Sequence, residues 1–64
     1  MAKANQDLRQ AMIEAGVRQW QVADKMLMSE VVFCRKMRKE FDDRMKKIIL
    51  EAIEVVKQEN MEGE

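Results

Sequence analysis

Cys34 is the only cysteine, histidine is absent, and together these facts decide how a chain of 64 residues can hold itself together. No disulfide can form within one copy, and a zinc site of the usual nitrogen–sulfur kind has too few ligands. A domain this short buries a modest share of its surface, so it usually needs a staple or a partner. What remains is close packing of helices, self-association, or both. Apolar residues make up 47% of the chain and charged residues 38%, which are proportions of a folded domain rather than a disordered one.

The apolar spacing is helical. Proline and tyrosine are absent and strand-like alternation is scarce, so the chain reads as all-α. Four helices are predicted, over about 5–15, 18–27, 30–39 and 43–57, in one compact domain over 1–57, with 58–64 as an acidic flexible tail. Asn5 suits an N-cap and Asp7 the first turn of helix one. Leu8, Ala11, Met12 and Ala15 then form a stripe, and Gly16 suits a left-handed helix end. Ile13 lies off the stripe as a scattered surface residue. Val22, Ala23 and Met26 give helix two its inner face, with Trp20 as a packing anchor. Ser29 is the cap of helix three, with Glu30 in its first turn. Val32, Phe33 and Met37 are expected to point inward, while Glu30, Val31, Cys34, Arg35 and Arg38 share the outer side. Phe41 plugs the core, and Asp42 caps helix four. That helix carries a broad apolar arc of Met45, Ile48, Ile49, Ala52, Ile53 and Val56, widened by Leu50 and Val55. This is more apolar surface than three short partners need to cover.

Zero net charge conceals an asymmetry. Residues 1–47 hold 11 bases and 7 acids, and residues 48–64 hold 1 base and 5 acids. Bases crowd the stretch 35–47 at Arg35, Lys36, Arg38, Lys39, Arg44, Lys46 and Lys47, against Glu40, Asp42 and Asp43. Lys/Arg clustered on and after one exposed helix is the pattern that neutralises phosphates. Several functions fall away. No apolar run approaches a membrane span, and the start has no secretory pattern, so a cytoplasmic protein with no membrane partner is expected. Without a glycine-rich phosphate loop or a nucleophile–histidine pair, no enzyme, cofactor or metal is expected. The length leaves no room for a small-molecule sensing pocket. Cys34 reads as a small residue in place of serine, not as a redox thiol.

The stretch from Gln19 through Trp20, Ala23, Ser29 and Phe33 to Arg38 resembles the helix-turn-helix of the lambda-repressor/Cro-like (Xre-type) DNA-binding domains. Leu8 to Gly16 is similar to the first helix of that fold, and with helix four the resemblance covers roughly residues 5–56. It is closest to short single-domain forms found in bacteria, phages and mobile elements. The resemblance implies a compact four-helix fold and a sequence-specific regulator bound to double-stranded DNA. Glu30, Val31, Cys34, Arg35 and Arg38 would face base edges, and Gln19, Ser29, Lys36, Lys39 and Arg44 would hold phosphates. Leu27 stands where the family usually has glycine, so the turn is expected to be strained or shifted. Val31 and Cys34 stand where polar residues are more usual. A homodimer through helix 43–57 would add the area that one small module lacks. The alternative is a helical protein-interaction or dimerisation module that keeps the fold without reading DNA. Membrane-surface binding ranks last, because acids interrupt every basic helix face.

Overall fold

Helix α1 spans Gln6–Ala15, with Leu8 and Met12 buried and Ala11 and Ala15 packed against them. The structure is a computed structural model, and it describes residues 4–62. Gly16 ends α1 in a left-handed conformation (φ 68°). Its N–H donates to Ile13 O at 3.1 Å and the N–H of Val17 donates to Met12 O at 2.9 Å. That pair of bonds is the Schellman motif, and buried Val17 supplies its apolar contact.

Helix α2 spans Gln19–Lys25. The side chain of Gln21 reaches back, Oε1 accepting from the N–H of Arg18 at 3.0 Å. Val22 and Ala23 are buried and Met26 is half-buried. Trp20 is not the expected packing anchor, because it is 54% exposed. It lies roughly 100° around the helix from the direction shared by Val22, Ala23 and Met26. Leu27 ends α2 as Gly16 ends α1. Its φ is 60°, its N–H donates to Asp24 O, and the N–H of Met28 donates to Ala23 O. The turn is therefore strained and not shifted: it keeps the left-handed geometry with a leucine in it.

Helix α3 spans Glu30–Lys36, capped by Ser29 Oγ, which accepts from the N–H of Val32 at 3.2 Å. Phe33 and Met37 are buried as expected, but Val32 is 41% exposed. With Phe33 and Met37 four residues apart setting the inward direction, Val32 falls to the helix edge. Helix α3 also stops three residues early, so Arg38 and Lys39 lie in the following turn and not on the helix.

Helix α4 spans Asp43–Glu62, with Asp42 Oδ1 accepting from the N–H of Met45 at 2.8 Å. Ile49, Ile53 and Val56 are buried. The helix runs five residues past its expected end at 57, so 58–62 are helical and not a loose tail. The cause is polar docking on α2: Gln21 Nε2 donates to Asn60 Oδ1 at 3.1 Å, and Lys25 pairs with Glu59. Residues 63–64 of that tail lie outside the described residues, as do residues 1–3, on which the reading of a missing leader rested.

The result is a compact all-α domain of four helices, with no strand among the described residues. Helix α4 lies against α1 and α2, and α2 holds α3. Phe33, Leu8, Met37, Ile49 and Val22 are the largest fully buried apolar side chains, one or more from each helix or its end. Among the described residues, no helix is long and apolar enough to cross a membrane.

Candidate nucleic-acid interface

One buried polar residue positions the basic segment. Asn5 stands at the N-cap position of α1 as expected, its C=O accepting from Arg9 N–H at 3.0 Å, but it adopts a left-handed backbone (φ 59°) and its side chain caps nothing in α1. It is fully buried instead. Its Nδ2 donates to Met37 O at 3.0 Å and to Lys39 O at 2.9 Å, and its Oδ1 accepts from the N–H of Phe41 at 2.9 Å. Met37 C=O and Phe41 N–H are the pair that would bond to each other if α3 continued. The amide of Asn5, with a donor and an acceptor on one plane, takes both places. It thereby ends α3 and fixes the turn that bears Arg38 and Lys39. Sequence reasoning missed this role, because no local pattern reports a partner 32 to 36 residues away.

An ion cluster closes the same corner. The N–H of Asn5 donates to Glu40 Oε1 at 2.7 Å, while the Lys46 ammonium bridges Glu40 and Asp7. The Asn5 N–H, then Lys46, hold Glu40 below its ordinary carboxylate range. A hydrogen bond from Lys46 does the same for Asp7. The two carboxylates, Glu40 first, push Lys46 above its ordinary value.

This arrangement bears on the local charge. Glu40 is engaged by Lys46 and Asn5 and Asp42 caps α4, while Asp43 stays exposed in the first turn of α4. Among the described residues, Arg35, Lys36, Arg38, Lys39, Arg44 and Lys47 have no ion-pair partner. All six are exposed. Arg35 and Lys36 stand on the last turn of α3, Arg38 and Lys39 on the turn that Asn5 grips, and Arg44 and Lys47 on the first turns of α4.

The other expected contact residues sit as follows. Glu30 and Val31 are exposed at the start of α3, Val31 at 65%. Ser29 is exposed and already serves as the cap. Cys34 is half-buried, and its Sγ donates to Gln19 Oε1 at 3.1 Å. That contact ties α3 to the first turn of α2 and is one a serine hydroxyl would also make. The amide nitrogen of half-buried Gln19 has no hydrogen-bond partner among the described residues. The structure thus gathers Gln19, Cys34 and Glu30 to Lys36 along α3 and its contact with α2. Arg38, Lys39 and Arg44 extend the set beyond α3.

Among the described residues, no cluster of three or more His, Cys, Asp or Glu side chains is placed to hold a metal ion. An open groove of about 520 Å³ lies between α1 and the start of α2, lined by Arg9, Met12, Ile13, Val17, Arg18 and Gln19. Compared with known proteins, the chain matches no family model, no curated protein and no solved structure.

Proposed function

We propose that this chain is a sequence-specific DNA-binding domain of the lambda-repressor/Cro-like kind, acting as a small regulator of bacterial, phage or mobile-element origin. The observation that carries the reading is the cationic surface from Arg35 to Lys47, in which six exposed bases have no ion-pair partner among the described residues. A dense row of exposed bases fits the phosphate backbone of a duplex. Helix α3 enters the major groove in this reading. Arg35 reads guanine from the helix and Arg38 reaches from the following turn. Lys36 and Lys39 hold phosphates, as does Gln19 through its unused amide nitrogen. Val31, at 65% exposure, is placed for a thymine methyl.

The test is selection from a random-duplex library at about 0.1 M salt, where phosphate contacts are already weakened. An enriched site is expected. Arg35→Ala with Arg38→Ala should abolish the preference, each contact being worth about 1–3 kcal/mol. Unchanged selection by that double variant overturns the reading. A second reading, protein binding by the same helix, draws on the exposure of Val31 and of Leu27 (93%) beside it. It predicts no enriched site and no steep loss of DNA affinity with salt.

A further inference from the structure

Helix α4 keeps an uncovered flank. Ile48 and Val55 are 46% and 48% exposed, with the small Ala52 between them. They recur at i, i+4 and i+7, one face of the helix. The core takes in only the edge of Ala52 and neither Ile48 nor Val55, since Ile49, Ile53 and Val56 on the adjoining face fill it. Charge along α4 is polarised: Arg44, Lys46 and Lys47 outnumber Asp43 in its first turns, and Glu51, Glu54, Glu59 and Glu62 outnumber Lys57 further on. A parallel pair of such helices would set like charge against like. An antiparallel pair sets opposite charges together.

The geometry points to a homodimer formed by antiparallel pairing of α4 with α4 of a second copy. The two-fold axis passes between Glu51 and Ala52. Ile48 then faces Val55 of the second copy, and Arg44 faces Glu59 of the second copy, each contact occurring twice as two-fold symmetry requires. Arg44 has no ion-pair partner within its own chain among the described residues. Glu59 engages Lys25 through Oε2 alone, leaving Oε1 for Arg44. Ala52, at the crossing, lets the backbones approach. The two Glu51 carboxylates fall on the same edge near the axis and repel, which keeps the association weak and reversible. This inference does not rest on DNA binding, and it removes Arg44 from the phosphate-contacting set.

Sedimentation of the full chain over a concentration series, without DNA, tests it. A reversible monomer–dimer equilibrium is expected. Arg44→Glu and Glu59→Arg should each weaken it about tenfold, the equivalent of about 1.4 kcal/mol. The double reversal should restore it. Ala52→Cys in a Cys34→Ser background should cross-link on oxidation, and Leu50→Cys, on the opposite flank, should not. A chain that stays monomeric throughout overturns the proposal. So does a dimer indifferent to both reversals that fails to cross-link through the Ala52→Cys variant. If Arg44→Glu loses DNA affinity that Glu59→Arg does not restore, Arg44 returns to the phosphate set and the proposed register falls. Because the dimer is measured without DNA, its failure leaves base reading untouched, and failed base reading leaves the dimer untouched.

Discussion

The turns on either side of α3 are held in opposite ways. The turn before it is assembled from its neighbours: Leu27 and Met28 bond back to Asp24 and Ala23, and Ser29 caps forward onto Val32. No bond in it reaches further than five residues. The turn after it is held from outside, by Asn5, whose amide replaces a missing helical bond between Met37 and Phe41. The first turn tolerates an ill-suited residue, leucine at φ 60°, because its hydrogen bonds are all made. The second makes local bonds from Arg38 and Lys39 N–H to Arg35 and Lys36 O, but its Met37 and Lys39 carbonyls and Phe41 N–H depend on one side chain. Local closure buffers a turn against its own sequence, and closure from afar concentrates the dependence in one residue.

That contrast can be broken most sharply at Asn5. Asn5→Ala strands three backbone groups, one buried and two part-buried, and leaves alanine in a left-handed conformation. The expected loss is about 3 kcal/mol or more, read from urea or thermal unfolding. In a domain of this size such a loss approaches the whole stability. Asn5→Asp should be nearly as damaging, since it turns a carboxylate toward the carbonyls of Met37 and Lys39. A loss under about 1 kcal/mol for either variant would mean the turn closes itself, as a typical single hydrogen bond contributes that much.

The turn before α3 should respond with the opposite sign. Leu27 is 93% exposed, so trimming it removes no packing. Leu27→Gly relieves left-handed strain, partly offset by the freer unfolded chain, for a net gain of about 0.5–1 kcal/mol. A raised melting midpoint checks it. A lowered one would show that the leucine side chain contributes contacts the isolated domain needs.

The smallest effect belongs to the ion cluster beside Asn5, whose charges face solvent and are screened by it. The folded values of Asp7 and Glu40 are lowered, so their contribution is complete above the ordinary carboxylate values. It is lost as pH falls through the lowered folded values. Lys46 is raised, so its share is complete below the ordinary lysine value and is lost as pH rises through the raised one. Lys46→Gln should therefore narrow the stability difference between neutral and strongly acid solution, seen as a flatter acid limb in melts against pH. An unchanged limb would assign the cluster no part in holding the second turn.

How much was legible in the sequence follows the same division. Ser29, Asp42 and Gly16 announce caps within three residues of what they cap, and each does what its position suggested. The left-handed site at Leu27 was legible through the resemblance, and the α1 stripe through its spacing. Asn5 was placed correctly at the N-cap, but its side chain was misread because cap chemistry is local and its actual partners are not. The extension of α4 to Glu62 was hidden for the same reason: Gln58 to Glu62 look like a frayed polar end until Gln21 and Lys25 are brought beside them. Trp20 and Val32 failed differently, since two residues at the edge of an apolar arc cannot be sorted without the neighbouring helix. Of the candidate interface, the basic cluster was plain in the sequence. That Glu40 pairs with Lys46 and not with the other bases was not, because that depends on where its side chain turns.

The clasp at Asn5 also sets an order of events in folding. Joining residue 5 to residues 37–41 closes a loop that contains α1, α2 and α3, and the entropy of that closure must be met before its hydrogen bonds form. Helices α2 and α3, joined by a four-residue turn, can meet long before. The clasp thus forms after the α2–α3 pair, together with the α1–α4 contacts that also span most of the chain. The turn carrying Arg38 and Lys39 is therefore fixed only when residue 5 reaches it, after α2 and α3 have met.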